Sequence, residues 1–191
     1  MATTTTISQV GEFPLISSMV GDLTMGQAVT LGPGDDGAVF QVDGSAVVST
    51  DVLVEEVHFR RRWSTATDVG RKAVAVNVSD IEAMGAVPVA LVVGFSAPGD
   101  LPASWAREFM AGMTAESQKA GVSVVGGDTT GGPVVSIAVT VIGQTAGMAP
   151  VRRDGAVPGD EVAVIGQLGL AAAGLALLGR GFRSPRAVVA A

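Results

Sequence analysis

The sequence has no cysteine and a single histidine, His58. Without cysteine there is no disulfide, no thiolate metal site and no cysteine nucleophile, and one histidine excludes a histidine-rich zinc site. Basic residues are also few, since 12 Lys and Arg stand against 18 Asp and Glu, for a formal net charge of -6. This acidic balance argues against general nucleic-acid binding, which normally needs a basic face.

Long apolar runs and targeting signals are missing as well. The most apolar segment, residues 86–97, is too short to span a bilayer and contains Pro88. The N-terminus has neither the basic start nor the apolar stretch of a signal peptide. Hydrophobic residues make up 48% of the chain and charged residues 16%, which allows a packed core. We therefore expect a cytoplasmic protein with no membrane or nucleic-acid partner.

Four acidic patches lie where predicted strands or helices meet loops. If the fold brings their carboxylates together, each pair of charges about 4 Å apart costs roughly 4 kcal/mol at an effective dielectric near 20, so a converging cluster implies bound cations. Oxygen ligands from Asp, Ser and Thr suit Mg²⁺, which also binds substrate phosphates. The pattern predicts a magnesium–nucleotide enzyme. The patches are Gly34-Asp35-Asp36-Gly37, Ser49-Thr50-Asp51, Asn77-Val78-Ser79-Asp80 and Gly126-Gly127-Asp128-Thr129-Thr130.

Apolar patterns, caps and turns predict the secondary structure. Asp43-Gly44 between two apolar runs indicates a β-hairpin. Thr65, with Asp68 three residues later, indicates a helix N-cap, and Gly85 indicates the helix end. The predicted helices are 12–20, 67–84 and 102–120, and the predicted strands are 38–42, 45–54, 87–95, 122–125 and 134–142. Residues 126–132 are predicted to form a glycine-rich loop between the last two strands.

These elements predict an α+β fold, a mixed or antiparallel four-stranded sheet with two helices packed on one face. The composition shifts near residue 147, where a linker or domain entry is expected. A predicted strand, 161–165, and an Ala/Leu helix, 168–178, follow, and together they cannot bury their own apolar faces. We expect two domains, 1–148 and 149–191, the second being the start of an incomplete α/β domain.

Asp80 is the strongest single candidate for a functional residue. A helical wheel of 100° per residue places it in the middle of an apolar face formed by Val69, Ala73, Val76, Ala83 and Met84. A carboxylate on such a face has to be paired or metal-bound, because an isolated buried charge is prohibitively costly. An Asp paired with an Arg is the structural alternative.

The other candidates each have a structural alternative. Asp51 shares a strand face with Ser49, and a solvated strand end explains it about as well. The glycines of 126–132 would let a phosphate approach backbone N–H groups, or they form a long hairpin loop. His58, just past the Asp51 strand, fits a structural and a functional role equally. The arginines of 60–62 form a solvated run or a phosphate clamp.

The four patches, taken in this order, resemble those of the thiamine-monophosphate kinases, within the superfamily related to aminoimidazole-ribonucleotide synthetase. The resemblance runs from Gly11 to Asp160. The segment 54–59, with the pattern Val-Glu-x-x-His-Phe, favours this family over selenophosphate synthetases and hydrogenase-maturation proteins, which share the acidic signatures more loosely. The most specific segments are 49–55 with His58-Phe59, 72–80 and 126–130.

The resemblance implies a role for each site residue. ATP would contact Gly127, Asp128 and Arg153, and His58 would contact thiamine phosphate. The N-terminal domain would bind ATP and magnesium, and it would pair in a homodimer whose two sheets form a shared barrel. Several Mg²⁺ ions would be held by Asp36, Ser49, Thr50, Asp51, Asp80 and Asp128.

The sequence departs from the family in two places within the matched segments. The family usually has Arg at the position of Gly131 and Gly at the position of Glu56, so a phosphate contact and the turn before His58 are expected to differ. The family also has a metal motif of Ser-Asp-Gly type in its second domain, and this sequence has no counterpart.

The function that the resemblance implies is ATP-dependent phosphorylation of thiamine monophosphate to thiamine diphosphate. The acceptor is a phosphate with a second pKa of about 6, so it is largely dianionic at neutral pH and no catalytic general base is expected. The alternatives are another ATP-dependent member of the superfamily, a catalytically incomplete metal- and nucleotide-binding dimerisation module, and a small-ligand-binding domain without transfer chemistry.

Overall fold

The computed structural model describes residues 4–182. The chain divides into two compact units between Arg152 and Arg153. The first unit contains four helices, α1 Ile7–Val10, α2 Glu12–Val20, α3 Ala66–Ala83 and α4 Ala103–Ala120. Its strands are β1 Val29–Leu31, β2 Val39–Phe40, β3 Ala46–Val54, β4 Val87–Ala97, β5 Ser123–Gly131 and β6 Ser136–Gln144.

Strands β3 to β6 form one mixed sheet in the order β3-β6-β4-β5. Strand β6 pairs antiparallel with both β3 and β4, whereas β4 and β5 are parallel. Parallel neighbours need a crossover, and α4 supplies it. Strands β3 and β5 are therefore the two edges of the sheet, and the predicted α+β class with a four-stranded sheet is confirmed.

Helices α3 and α4 pack together on the sheet, and their ends follow the predicted signals. The Thr65 side chain accepts a hydrogen bond from the Asp68 N–H, the reciprocal half of a capping box, and Gly121 ends α4 in a left-handed conformation. The two helix backbones approach closely at glycines. A Cβ on Gly70 would lie 2.1 Å from Phe109 O, and one on Gly112 would lie 2.2 Å from Thr67 O.

The predicted hairpin at Asp43-Gly44 is wrong. Strand β2 pairs with β1 in a separate two-stranded sheet, while β3 pairs with β6. Gly44 still turns the chain, with φ at +76°, and the Asp43 N–H donates to Gln144 Oε1 at 2.8 Å. The turn therefore leads from the small sheet into the large one, because the apolar residues of β3 find their partners on β6.

The predicted loop at 126–132 is also wrong, because β5 continues through Gly131. Strand β4 lies between β5 and β6, so the last two strands cannot form a hairpin. Gly127 has a packing role, since a Cβ there would lie 2.1 Å from Val93 O on β4. The register between β4 and β5 also shifts at Val125, because Leu91 pairs with Val124 whereas the next residue, Val92, pairs with Gly126.

The second unit contains helix α5, Leu170–Gly179, close to the predicted 168–178. Residues 161–165 form no strand, contrary to the prediction, and Val162 and Ile165 are exposed. An apolar strand pattern needs a neighbouring strand for its backbone hydrogen bonds. Within residues 4–182, no helix has both the length and the apolarity needed to cross a membrane.

Candidate functional site at the two edges of the sheet

Two acidic patches meet where helix α3 lies against strand β3. The Ser49 hydroxyl donates a hydrogen bond to Asp80 Oδ2 at 2.8 Å, and the Asp51 backbone N–H donates to Asn77 Oδ1 at 3.2 Å. Ser49 and Asp51 share one face of β3, and Asn77 and Asp80 share one side of α3. Two neighbouring hydrogen bonds therefore join the 49–51 patch to the 77–80 patch.

Asn77 belongs to this contact although no sequence motif predicted a role for its side chain. It is 1% exposed, and its Nδ2 donates to the Ala73 carbonyl at 2.8 Å while its Oδ1 accepts from Asp51. Both ends of the amide are therefore used. A polar residue four positions after buried Ala73 and four before buried Ile81 was the sequence signal for it.

Asp80 lies on the exposed side of α3, so its predicted apolar surroundings are wrong. Two residues assigned to the apolar face lie at its margin, because Val76 is half-buried and Ala83 is exposed. Asp80 is thus a solvated carboxylate that accepts the Ser49 hydroxyl, and this placement leaves it accessible to a cation. The buried face of α3 consists of Ala66, Val69, Gly70, Ala73, Val74, Asn77, Val78 and Ile81.

His58 lies in the turn that follows β3. The Val54 backbone N–H donates to His58 Nδ1 at 3.0 Å, and the His58 N–H donates to the Val54 carbonyl at 2.8 Å. From helix α3, Lys72 Nζ donates to the His58 carbonyl at 2.7 Å. The next residue, Phe59, is buried and stacks on Trp105 with ring centroids 6.4 Å apart. The turn is therefore held from α3 and from the aromatic core.

The three arginines of the 60–62 run pair with the two glutamates of the same turn. Arg61 binds Glu55, while Arg60 and Arg62 bind Glu56 at 3.2 and 2.6 Å. Neither a purely solvated run nor a preformed phosphate clamp describes this arrangement, since each guanidinium contacts a carboxylate of the chain.

A cavity of about 610 Å³ lies along β5, and two further predicted metal ligands line it. Asp36 comes from the segment before β2 and Asp128 from β5, and both are exposed. The volume falls in the range of small-molecule sites, about 300–1,000 Å³. Part of its lining is apolar and comes from Ile16, Met19, Val20 and Leu23.

Asp51 and Asp128 lie at opposite edges of the sheet, so the four acidic patches, whose convergence would imply bound cations, do not meet in one pocket of this chain. Three strand spacings separate β3 from β5, which amounts to about 14 Å. Across the sheet, Asp128 pairs with Gly94, Gly94 pairs with Ala138, and Ala138 pairs with Val52. Asp128 therefore lies on the same face of the sheet as exposed Val52, and Asp51 lies on the opposite face. Within residues 4–182, no group of three or more His, Asp or Glu residues is placed to hold a metal.

The remaining predicted residues lie outside the contact between β3 and α3. Thr50 lies on the opposite face of β3 from Ser49, and its hydroxyl donates to the Val139 carbonyl at 3.0 Å. Gly127 lines the cavity next to Asp128. Arg153 is exposed and is the first residue of the second compact unit. The role of each residue in binding metal, ATP or substrate stays a prediction.

Residues 34–145 match the protein family described as AIR synthase related protein, N-terminal domain. The chain belongs to this family. The AIR synthase related domain contains every predicted site residue except Arg153, so it includes both edges of the sheet and the turn that carries His58.

Curated relatives of this chain are named thiamine-monophosphate kinase. The thiamine-monophosphate kinase of Mycobacterium tuberculosis is 49% identical over 173 residues, which are 90% of this chain and 52% of that protein. The chain thus spans about half the length of this curated relative.

Two solved structures are similar to the chain. The thiamine monophosphate kinase structure from Aquifex aeolicus is 36% identical, with a TM-score of 0.71, over 76% of this chain and 49% of that one. The structure of AaThiL complexed with AMPPCP and TMP is 31% identical, with a TM-score of 0.70, over 98% of this chain and 60% of that one.

Proposed function

We propose that the chain is part of a kinase that transfers a phosphoryl group from ATP to thiamine monophosphate and releases thiamine diphosphate. The observation that carries the proposal is the 49% identity, along 90% of the chain, to a thiamine-monophosphate kinase. The similarity to a structure complexed with AMPPCP and TMP supports the same pair of ligands. We assign the nucleotide and magnesium to the first unit, and we take residues after 152 to begin the next domain.

The donor set at the contact of β3 and α3 fits Mg²⁺. Mg²⁺ commonly uses one or two carboxylates together with waters and substrate phosphates, rather than a cage made of protein side chains alone. Ser49, Asp51 and Asp80 supply hard oxygen donors there, and the accessible Asp80 carboxylate is already oriented by the Ser49 hydroxyl. When bound, the ion supplies charge neutralisation between two polyanionic substrates.

The carboxylates around the β5 cavity form the second part of the proposed site. Asp36 and Asp128 line the same cavity and would share the metal-bound phosphates of ATP, with Gly127 beside them. Thr50 completes the set of metal ligands that the family resemblance implies, and contact of Arg153 with ATP stays a prediction. Because the two edges are about 14 Å apart on one chain, we infer that the edges serve different parts of the bound substrates.

The chain's residues need to position the substrates and do not need to remove a proton. The acceptor is a phosphate dianion at neutral pH, so its oxygen is already a nucleophile. His58, in the turn after β3, would bind that acceptor phosphate. Holding the acceptor oxygen in line with the γ-phosphorus is then the main contribution of the protein.

A second subunit would cover the open face of the sheet. Val48 and Val52 of β3 are 61% and 45% exposed, and Val92 of β4 is 39% exposed. These apolar side chains lie on the face that α3 and α4 leave uncovered. Their exposure supports pairing of two sheets into the shared barrel that the family resemblance implies.

The test is the turnover of an Asp80→Asn variant of the native polypeptide with thiamine monophosphate, ATP and Mg²⁺. Asn keeps the size of Asp and can still accept the Ser49 hydroxyl, but it removes the metal-binding charge. We expect thiamine diphosphate formation to fall by about 100-fold, while the midpoint of thermal unfolding stays within about one degree, because Asp80 is exposed.

Ser79→Ala is the matched control, because Ser79 is also exposed and precedes Asp80 on the same helix. Its turnover is expected to equal that of the wild type. Normal turnover in Asp80→Asn would contradict the metal assignment. Wild-type protein that hydrolyses ATP without consuming thiamine monophosphate would contradict the acceptor.

A further inference from the structure

The imidazole of His58 accepts a hydrogen bond, which fixes where its proton lies. The Val54 N–H donates to Nδ1 at 3.0 Å, so Nδ1 presents a lone pair there. A neutral imidazole carries one proton, and a nitrogen that accepts an N–H bond cannot carry it. The proton is therefore on Nε2, and the exposed ring offers an Nε2–H donor.

This ring orientation depends on the path of the turn between Val54 and His58. The His58 N–H donates back to the Val54 carbonyl at 2.8 Å, so the two residues are joined by two hydrogen bonds that involve both backbone and ring. A shift of the His58 backbone would lengthen both bonds together. A contact that fixes the position of the His58 carbonyl therefore also stabilises one tautomer of the ring.

Lys72 holds that carbonyl from a different element of the fold. Its Nζ donates to the His58 oxygen at 2.7 Å, across a separation of 14 residues. Lys72 lies on α3, five residues before Asn77, and Asn77 fixes the same helix to β3. The lysine thus connects the His58 turn to the helix that carries Asp80, and its ammonium brings a positive charge next to the histidine.

We propose that Lys72 is a positioning residue that keeps His58 in the Nε2–H tautomer, as a hydrogen-bond donor to the acceptor phosphate. The tautomer rests on the contacts of the chain alone, whereas the identity of the phosphate rests on the proposed function. A phosphate dianion accepts strong hydrogen bonds from N–H donors, and a nearby ammonium strengthens its binding. A ring that exchanged between tautomers would offer this donor only part of the time.

The single histidine of the chain makes the tautomer directly measurable. In protein with ¹⁵N-labelled histidine, long-range ¹H–¹⁵N correlation at a pH where imidazole is neutral should show a protonated Nε2 and an unprotonated Nδ1. Lys72→Met should move both nitrogen shifts toward the average of the two tautomers. Lys72→Arg keeps a cationic N–H donor and should restore the wild-type pattern. Arg71→Met is the matched control, because it removes one exposed positive charge from the neighbouring position.

Three spectra would overturn the positioning role. They are tautomer averaging in the wild type, an Nδ1–H tautomer in the wild type, and an unchanged single tautomer in Lys72→Met. Averaging in Arg71→Met would also overturn it, because net charge and not the Lys72 contact would then be responsible. Since Lys72 is exposed, far-UV circular dichroism of Lys72→Met is expected to match the wild type.

Titration with thiamine monophosphate tests the phosphate, with inorganic phosphate as the probe for that group alone. Both should shift the Nε2 signal. Lys72→Met should raise the Kd for thiamine monophosphate about tenfold, because the variant loses the ammonium charge beside the phosphate and keeps the Nε2–H donor only part of the time. Arg71→Met should leave this Kd within a factor of two. A fixed tautomer whose Nε2 signal responds to neither probe would contradict the acceptor assignment and leave the Lys72 contact standing.

Discussion

The two edges of the sheet carry the predicted site residues in different ways. At the β3 edge, Ser49, Asp51 and His58 are each joined by a hydrogen bond to helix α3. At the β5 edge, Asp36 and Asp128 line a cavity and are exposed. The β3 edge is thus organised by polar contacts within the protein, and the β5 edge by the shape of the cavity.

This difference indicates how each edge would respond to ligands. Polar groups that already have partners keep their geometry before binding, which lowers the ordering cost of association. Carboxylates around an open cavity repel one another until a cation or its complex with phosphate enters. We therefore expect the β3 edge to hold its structure without ligand, and the β5 edge to gain most of its order from one.

The largest expected effect comes from the backbone that shapes the β5 edge. Gly127→Ala would place a Cβ 2.1 Å from the Val93 carbonyl oxygen, so β4 and β5 would have to separate. We expect a loss of about 2–3 kcal/mol in the free energy of unfolding, as for other forced insertions into packed structure. Gly126→Ala is the control, because its Cβ would meet no atom within 4 Å.

Urea unfolding of both variants measures this contrast. Gly126→Ala is expected to stay within about 1 kcal/mol of the wild type, since only the entropy of the unfolded chain changes. Equal stability of the two variants would show that the close approach of β4 and β5 does not define this edge.

A smaller effect is expected at the β3 edge, from Asn77. Asn77→Ala removes the acceptor of the Asp51 N–H and leaves a buried gap between α3 and β3. Loss of a buried hydrogen-bonding partner costs about 1–3 kcal/mol. Ser49→Ala, which removes the exposed contact to Asp80, should cost less than about 1 kcal/mol. Thermal and urea unfolding should therefore rank Asn77→Ala below Ser49→Ala, and the reverse order would contradict the account of the β3 edge.

Local signals in the sequence predicted the helices well. Thr65 with Asp68 and the glycines after α3 and α4 define helix ends through hydrogen bonds and conformations that involve neighbouring residues only. The hairpin at Asp43-Gly44 and the loop at 126–132 failed for the opposite reason. Which strands become neighbours depends on long-range packing. Strand β2 pairs with β1 and β3 pairs with β6, so the first hairpin does not form, and β4 lies between β5 and β6, so the second does not form either.

The site was predictable only where one helix meets one strand. The motifs at 49–51 and 77–80 are indeed in contact, through Ser49 and Asp80. Their separation from Asp128 follows from the order of strands, which no single motif contains. The helical wheel centred the apolar face of α3 on Asp80 because it counted Val76 and Ala83 as core residues, although one is half-buried and the other exposed. It left out Asn77, which is polar but buried.

The smallest expected effect tests whether backbone strain contributes to the β3 edge. Glu56 has φ at +65°, a conformation that costs a residue with a Cβ about 1 kcal/mol or more, and its carboxylate binds Arg60 and Arg62. Both Glu56→Gly and Glu56→Ala lose these exposed ion pairs, each worth at most about 1 kcal/mol, but only the glycine variant relieves the strain. Urea unfolding should therefore find Glu56→Gly close to the wild type and more stable than Glu56→Ala by about 1 kcal/mol. If the alanine variant were the more stable one, strain at Glu56 would not contribute to the stability of this turn.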